Sequence, residues 1–313
     1  MVDFSDRRLP VGLIVLPICA LMVLCAFNCG ATTGESGKFH VNIGFSSKAF
    51  VNVPRKDIRV AVRMLSQKVA RKTVGSANSQ IYDSIADIEQ DLKAKKLDAV
   101  ALTPEDFIEL SSHIPLDPVM VTETDRGREV SLLLLTRKDS RIRTVRDLKS
   151  RTIAIPAKIV QYGNMYFTWV ETLIMREGFQ RIEAFFSTVN EAPSPSQALM
   201  QVFFHQADAC VVTDQVLDLA SELNPQIGKE LVILARVDKL AGGIIVFRHD
   251  LPEDRKQKLR QALLTLHEDQ EGKQLFVLFH LNRLVPFRPE YMRATKAFFA
   301  EHRELGHRIA RKH

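Results

Sequence analysis

Cysteine is scarce in this sequence, and its distribution limits the chemistry that the chain can perform. Three of the four cysteines, Cys19, Cys25 and Cys29, lie within the first thirty residues of the 313. Only Cys210 follows, inside an apolar run at 207–212 that is typical of a buried small hydrophobic residue. No CxxC pair occurs, so we expect neither a thiolate metal site nor an intramolecular disulfide beyond the amino-terminal segment.

The sequence also lacks the short motifs that mark common enzymes. It has no nucleophile elbow, HExxH pair, Walker loop or dinucleotide fingerprint. We therefore expect no enzymatic activity, no cofactor and no metal. The 43 basic residues exceed the 37 acidic ones only modestly, and the two kinds are mixed, as at 141–147. A nucleic-acid-binding protein would cluster its basic residues, so that class is disfavoured, although the surplus could favour anionic ligands or an anionic membrane surface.

The amino terminus carries an export pattern. Arg7 and Arg8 precede an uncharged apolar run at 11–27, and small or polar residues follow at 28–34. This order is that of a secretory signal. We expect cleavage after Ala31 and a periplasmic or other extracytoplasmic location.

Two other readings of the amino-terminal segment stay open. The apolar run is intermediate in length between a signal core and a membrane-spanning helix, so the segment could be retained as an anchor. A lipid anchor would need a small residue before the modified cysteine, whereas Leu24 precedes Cys25 and Asn28 precedes Cys29.

The remaining chain alternates predicted strands and helices. Apolar residues recur at helical spacing in 58–72, whereas 99–102 and 209–212 are short apolar strands. The alternation occurs once before residue 136 and again at about 152–234. This pattern predicts an α/β fold with two mostly parallel sheets flanked by helices, and a pocket in the cleft between them.

Three segments carry a family resemblance. Residues 88–104, 139–155 and 198–212 resemble, in order and spacing, the conserved steps of type 2 periplasmic solute-binding proteins. The group that they are most similar to is the phosphonate/phosphite-binding group of ABC-transporter components. The resemblance implies a two-lobed protein that closes around a small polar solute and delivers it to a membrane permease.

The resemblance also implies how the chain divides. The polypeptide should pass between lobes near Thr136 and again between Arg236 and Ile244, where Gly242 and Gly243 could form a hinge. Lobe 1 should then comprise 38–136 plus 242–313, and lobe 2 should comprise 137–241.

Ligand groups should come from strand ends and helix starts, where hydroxyls and free backbone amides suit oxyanions. The same side chains could instead serve as helix caps. The candidate ligand-binding residues are Ser46, Ser47, Tyr82, Ser84, Thr103, Tyr162, Gly163, Asn164, Ser196, Thr213 and Asp214.

The ligand itself stays open. The loop at 160–164 keeps only the glycine of the Ser/Thr-rich loop of phosphonate-binding relatives, and Ser194-Pro195 stands where they have a His-Glu pair. Asp214 and Glu105 could accept hydrogen bonds from an amine or a hydroxyl, and would repel an anion unless protonated or turned away.

Transport by a monomer is the leading hypothesis. The alternatives are a sensing module that signals to a membrane partner without transport, and an enzyme on the same two-lobed fold. A regulator's ligand domain would need a DNA-binding helix-turn-helix before it, and none is present.

Overall fold

A computed structural model describes residues 39–50, 55–73, 75–158 and 163–311. These residues form eleven strands: β1 (Phe39–Ser46), β2 (Gly75–Tyr82), β3 (Ala99–Leu102), β4 (Leu116–Glu123), β5 (Glu129–Arg137), β6 (Thr152–Pro156), β7 (Thr188–Ala192), β8 (Ala209–Thr213), β9 (Leu231–Ala241), β10 (Ile244–Arg248) and β11 (Arg283–Pro286). They also form eleven α-helices: α1 (Arg55–Lys72), α2 (Ile85–Lys93), α3 (Pro104–His113), α4 (Gly163–Arg176), α5 (Ile182–Phe185), α6 (Pro195–Phe203), α7 (Asp214–Leu223), α8 (Pro225–Glu230), α9 (Glu253–Leu264), α10 (Gln270–Leu278) and α11 (Arg293–Ala310).

The strands make two mixed sheets, which confirms the predicted two-lobed α/β architecture. The sheets are not mostly parallel as expected, because β4, β5, β9, β10 and β11 all form antiparallel pairs. The first sheet has the order β11-β4-β10-β3-β1-β2, and the second has the order β7-β6-β8-β5-β9. Strands β1, β2 and β3 pair in parallel, as do β6, β7 and β8. The strands that begin just after a passage between sheets, β5 and β10, run antiparallel to both neighbours.

One aspartate fixes the helix-to-strand connection in each lobe. The backbone N–H of Asp98 donates to the carbonyl of Asn42, and its carboxylate accepts from the N–H of Asn42, both at 2.9 Å. Asp208 makes the same two bonds with Thr152, at 2.9 and 2.8 Å. The side chain thus sets the register at which β3 starts beside β1 and β8 beside β6.

The first passage between the sheets lies earlier than the sequence suggested. Residues 124–128 connect β4 to β5, and β5 pairs with β8 and β9 in the second sheet. The expected boundary at Thr136 is therefore corrected to a point before Glu129. The apolar run of β5 is buried because the strand lies in the interior of the second sheet. The second passage, Gly242-Gly243, falls between Arg236 and Ile244.

The carboxyl-terminal helix departs from the expected division as well. We expected residues 242–313 in the first lobe, but Phe298 and Phe299 of α11 pack in the core of the second lobe with Trp169. Arg176 of α4 also donates to Glu301 at 2.8 and 2.9 Å. Because α11 buries its apolar face against α4, the chain crosses between the lobes a third time and so returns to the second lobe.

Among the described residues, no helix is both long and apolar enough to cross a bilayer. The apolar run at 11–27, with its predicted signal or anchor role, lies outside the described residues.

Candidate functional site

The carboxyl ends of the parallel strands coincide with helix starts at one edge of each sheet. Helices α2 and α3 follow β2 and β3, and helices α4, α6 and α7 follow β6, β7 and β8. Glu105, in the first turn of α3, lies within interaction range of the Asn164 side chain in the first turn of α4. Gln215 Nε2 lies 3.5 Å from Thr124 Oγ1 in the first passage. The two edges therefore border a cleft, and the helix amino ends at its walls favour negative charge.

On the first side of the cleft, a buried aspartate is fully partnered. Asp106 is 1% exposed, and its carboxylate accepts from Ser46 Oγ at 2.7 Å and from Lys48 Nζ at 3.1 Å. Its N–H donates to Thr103 Oγ1 at 3.1 Å, so Thr103 caps α3 as the sequence pattern indicated. Lys48 thus balances the charge of Asp106, and Ser46 and Thr103 are used in holding it.

The neighbouring carboxyl of Glu105 has a different environment. Burial raises the pKa of Glu105, and the charges of Asp106 and Glu109 raise it further, whereas Asn164 and Lys48 lower it. For Lys48, burial lowers the pKa, but the three carboxylates of Asp106, Glu105 and Glu109 outweigh it and raise the pKa overall. This wall of the cleft therefore combines an ammonium group and a carboxyl group that both bind their protons more tightly than usual.

On the second side, two candidate residues act as caps. Thr213 Oγ1 accepts from the N–H of Val216 at 3.4 Å at the start of α7. Asp214 Oδ1 accepts from the N–H groups of Gln215 at 3.0 Å and Ser131 at 3.3 Å. One oxygen of Asp214 is thus turned toward the backbone, and its charge is partly balanced by two N–H dipoles.

Three candidate hydroxyl groups of the first lobe differ in whether they already make a hydrogen bond. Tyr82 is buried, and its hydroxyl donates to Asp91 at 2.8 Å, so it links β2 to α2. Burial and this hydrogen bond raise the pKa of Tyr82. Ser47 and Ser84 are half-buried, and within the described parts of the chain their hydroxyls make no hydrogen bond. These two hydroxyls are available to a solute.

The remaining candidates belong to α6 and α4. Helix α6 begins at Pro195, and Ser194 Oγ caps it by accepting from Gln197 at 3.2 Å. Ser196 was expected at the helix start but is exposed in the first turn, so the capping role falls to Ser194. Gly163 is the first residue of α4, and Tyr162 lies outside the described residues.

Four further polar residues lie at the cleft edges and were not among the predicted ligand-binding residues: Lys48, Ser131, Lys158 and Gln215. Each stands within three residues of the cleft end of a strand, a position in the sequence that could have indicated them. Lys158 follows β6 and is exposed, with Nζ 4.8 Å from the centre of the Phe167 ring. Both cleft walls therefore carry a lysine.

Two observations concern the reactive side chains of the described residues. No group of three or more His, Cys, Asp or Glu side chains among them is arranged to hold a metal ion. Cys210 is a fully buried free thiol, as the sequence predicted, and burial raises its pKa. A thiol held protonated in a core is a poor nucleophile.

Solved structures share this fold at low sequence identity. A Xanthomonas citri protein bound to ATP has a TM-score of 0.64 at 16% identity, covering 85% of this chain and 98% of its own. PhnD1 from Prochlorococcus marinus, in complex with methylphosphonate, has a TM-score of 0.58 at 13% identity, covering 84% and 97%. A binding component of an ABC phosphonate transporter from Pseudomonas aeruginosa has a TM-score of 0.55 at 15% identity, covering 88% and 99%.

Sequence comparison gives the family. No curated protein sequence matches this chain. A family model described as "ABC transporter, phosphonate, periplasmic substrate-binding protein" matches residues 53–291. The match covers most of the chain and includes all three segments on which the resemblance rested, so this protein belongs to the phosphonate-type periplasmic substrate-binding family of ABC transporters.

Proposed function

We propose that the cleft binds one small solute through an oxyanion group, and that closure of the lobes presents the loaded protein to a membrane permease. Family membership supports the transport role over sensing without transport. The observation that carries the ligand class is the convergence of the α3 and α4 amino ends beside Lys48, at the point where Glu105 meets Asn164.

The acids of the cleft do not oppose an anion as strongly as the sequence suggested. Asp106 is paired with Lys48, and one oxygen of Asp214 accepts two backbone N–H bonds. The pKa of Glu105 is raised, which favours the neutral form beside a bound anion. What remains for a solute are Lys158, the hydroxyls of Ser47 and Ser84, the helix amino ends, and the N–H donors of Lys48 that Asp106 does not use.

The head group that we favour is a phosphonate. The family description names phosphonate, and PhnD1 was solved with methylphosphonate. The sequence differs from that of phosphonate-binding relatives at 160–164 and at Ser194-Pro195. We therefore expect this protein to contact a phosphonate head group with a different set of residues.

The proposal also includes the location of the protein, its oligomeric state and the activities that it lacks. We propose that the protein acts outside the cytoplasm as a monomer, without enzymatic activity and without binding nucleic acid. The export pattern at residues 7–34 supports the location, and the family supports the absence of catalysis. Cleaved and anchored forms would differ in the mass of the purified protein, which tests the predicted cleavage after Ala31.

A thermal-shift screen tests the ligand class. The full-length protein is heated with methylphosphonate, phosphite, methanesulfonate, phosphate and representative amino acids. A ligand at 100 times its dissociation constant adds about 2.7 kcal/mol to the free energy of unfolding, which raises the melting temperature by several degrees. We expect at least one oxyanion to give this shift, and the proposal fails if no small solute does.

A variant pair locates the site. Asn164→Ala removes a polar group from the α4 amino end and should weaken binding of the oxyanion about tenfold or more. Asn78→Ala, on the exposed edge strand β2, is the matched control and should leave binding unchanged. Equal affinities for both variants would show that the solute binds elsewhere.

A further inference from the structure

The first lobe contains an apolar cavity of about 100 Å³ that the polar cleft does not explain. It lies between the first sheet and helices α1, α9 and α10. Its lining is mostly apolar side chains, among them Val69, Phe247, Leu263 and Phe276. Apolar cavities of this kind stay dry and accept apolar molecules of matching size.

The cavity reaches the cleft edge of the sheet. Its lining includes Leu102, which directly precedes the α3 cap Thr103, and Gly243 at the second passage. Thr122, Phe279 and Leu281 line it as well. The same three residues also line a smaller cavity of about 50 Å³ whose walls include Thr124 and Gln215. The apolar space therefore begins beside the helix starts that we assign to the oxyanion.

The cavity also leaves part of the sheet face uncovered. Ala101 and Ile245 are neighbours in the first sheet, and both line the cavity and remain partly exposed. Unfilled apolar space of this size is destabilising, because the surrounding side chains lose contacts that a filled core would give them. An apolar group that entered from the cleft would restore those contacts.

We infer that the solute is amphipathic: an oxyanion head binds in the cleft and an unbranched alkyl chain enters the cavity of the first lobe. The inference rests on the proposed function and narrows its substrate class. A 150 Å³ apolar cavity holds a benzene molecule, so a cavity of this volume suits a chain of about four carbons.

A chain-length series tests the inference. Calorimetry on the full-length protein compares the phosphonates with methyl to hexyl chains, and the matching sulfonates in parallel. Each added methylene that enters apolar surroundings should tighten binding about fourfold, up to about four carbons. Beyond that length, affinity should level off or fall.

Substitutions that fill the cavity give a second test of the inference. Ala101→Leu should remove the gain from long chains while leaving methylphosphonate affinity unchanged. Ala86→Leu, on the exposed face of α2, is the matched control and should keep the full gain. Ala49→Leu, at another residue that lines the cavity, gives the same comparison if Ala101→Leu does not fold. Asn164→Ala should instead weaken every chain length by the same factor.

The outcomes separate the two proposals. If methylphosphonate binds but affinity does not rise with chain length, the cavity is an unfilled core and the inference is wrong, whereas the proposed function stands. An Ala101→Leu protein that retains the full gain would also overturn it. If no compound of either series binds, the inference is wrong, and the proposed function fails as well if phosphite and phosphate also give no thermal shift.

Discussion

Glu105 at the start of α3 lies across the cleft from Asn164 at the start of α4, and through these two side chains the two lobes meet. Burial raises the pKa of Glu105 above its ordinary range, so the folded protein binds this proton more tightly than the unfolded chain does. The free energy of unfolding then gains a contribution that is present at low pH. It is lost as the pH rises from the ordinary value of 4.5 through the raised value.

Glu105→Gln should remove that pH dependence. The variant should be more stable than the wild type at neutral pH by no more than about 1 kcal/mol, because the site is partly open to solvent. Oxyanion affinity should also rise and lose its decline with increasing pH. Urea unfolding and calorimetry between pH 4 and 8 measure both effects.

The control for this prediction lies one turn further along the same helix. Glu109 is exposed, so Glu109→Gln removes an equal charge but leaves the burial of Glu105, which is the largest cause of its raised pKa, in place. If both substitutions flatten the pH profile equally, the effect belongs to net charge and not to the contact with Asn164.

Patterns that depend on local sequence predicted the structure well. The capping of α3 by Thr103 and the burial of Cys210 both depend on neighbouring residues in the sequence. By contrast, the short, mostly apolar run at 184–187 indicates a strand from its sequence alone, but helix α5 ends at Phe185 and β7 starts at Thr188. The paired rings of Phe185 and Phe186 pack into the core of the second lobe, which a short apolar run does not distinguish from strand burial.

Features that depend on distant partners could not be predicted from the sequence. Strand β4 is only partly buried and carries Pro118, so its pattern is weak, and its place is set by pairing with β10 and β11. The neutralisation of Asp106 by Lys48 joins residues 58 positions apart. The cavity of the first lobe likewise arises from elements spread between β1 and β11.

The pairing of Lys48 with Asp106 predicts a conditional loss of stability. Lys48→Met leaves the buried carboxylate with only the Ser46 hydrogen bond from a side chain, and should cost about 1–2 kcal/mol, because Lys48 itself is partly exposed. Adding Asp106→Asn to that variant should recover part of the loss, since the amide carries no charge. Urea unfolding of the four proteins in this cycle measures the coupling.

An exposed ion pair in α2 serves as the control for Lys48→Met. Lys93 and Glu89 pair at spacing i,i+4 on the surface of α2. Lys93→Met should cost no more than about 0.5 kcal/mol. A loss of that size for Lys48→Met as well would show that Asp106 does not depend on its lysine.

Replacing His205 by glycine should stabilise the protein. It ends the turn after α6 with a φ of 59°, in the left-handed region that glycine adopts most easily. His205→Gly should raise the free energy of unfolding by about 0.5–1 kcal/mol. Gln206→Gly, at the next position and without a positive φ, should lower it. Thermal melts of the two variants give opposite shifts if the backbone conformation is the cause, and shifts of the same sign contradict it.

At the second passage between the lobes, a side chain at position 242 would clash with its surroundings. Neither Gly242 nor Gly243 has a positive φ, so backbone freedom does not account for glycine there. A Cβ atom at Gly242 would instead lie 2.7 Å from Thr122 Oγ1.

Gly242→Ala should therefore lower the free energy of unfolding by about 1–3 kcal/mol. Adding Thr122→Ala removes the hydroxyl and should recover most of that loss. Gly306→Ala in α11, where a Cβ atom meets nothing within 4 Å, should instead stabilise the protein by about 0.8–1 kcal/mol through helix propensity. Urea unfolding of the single and double variants decides the point: if Thr122→Ala brings no recovery, contact with Thr122 is not the reason for glycine at this passage.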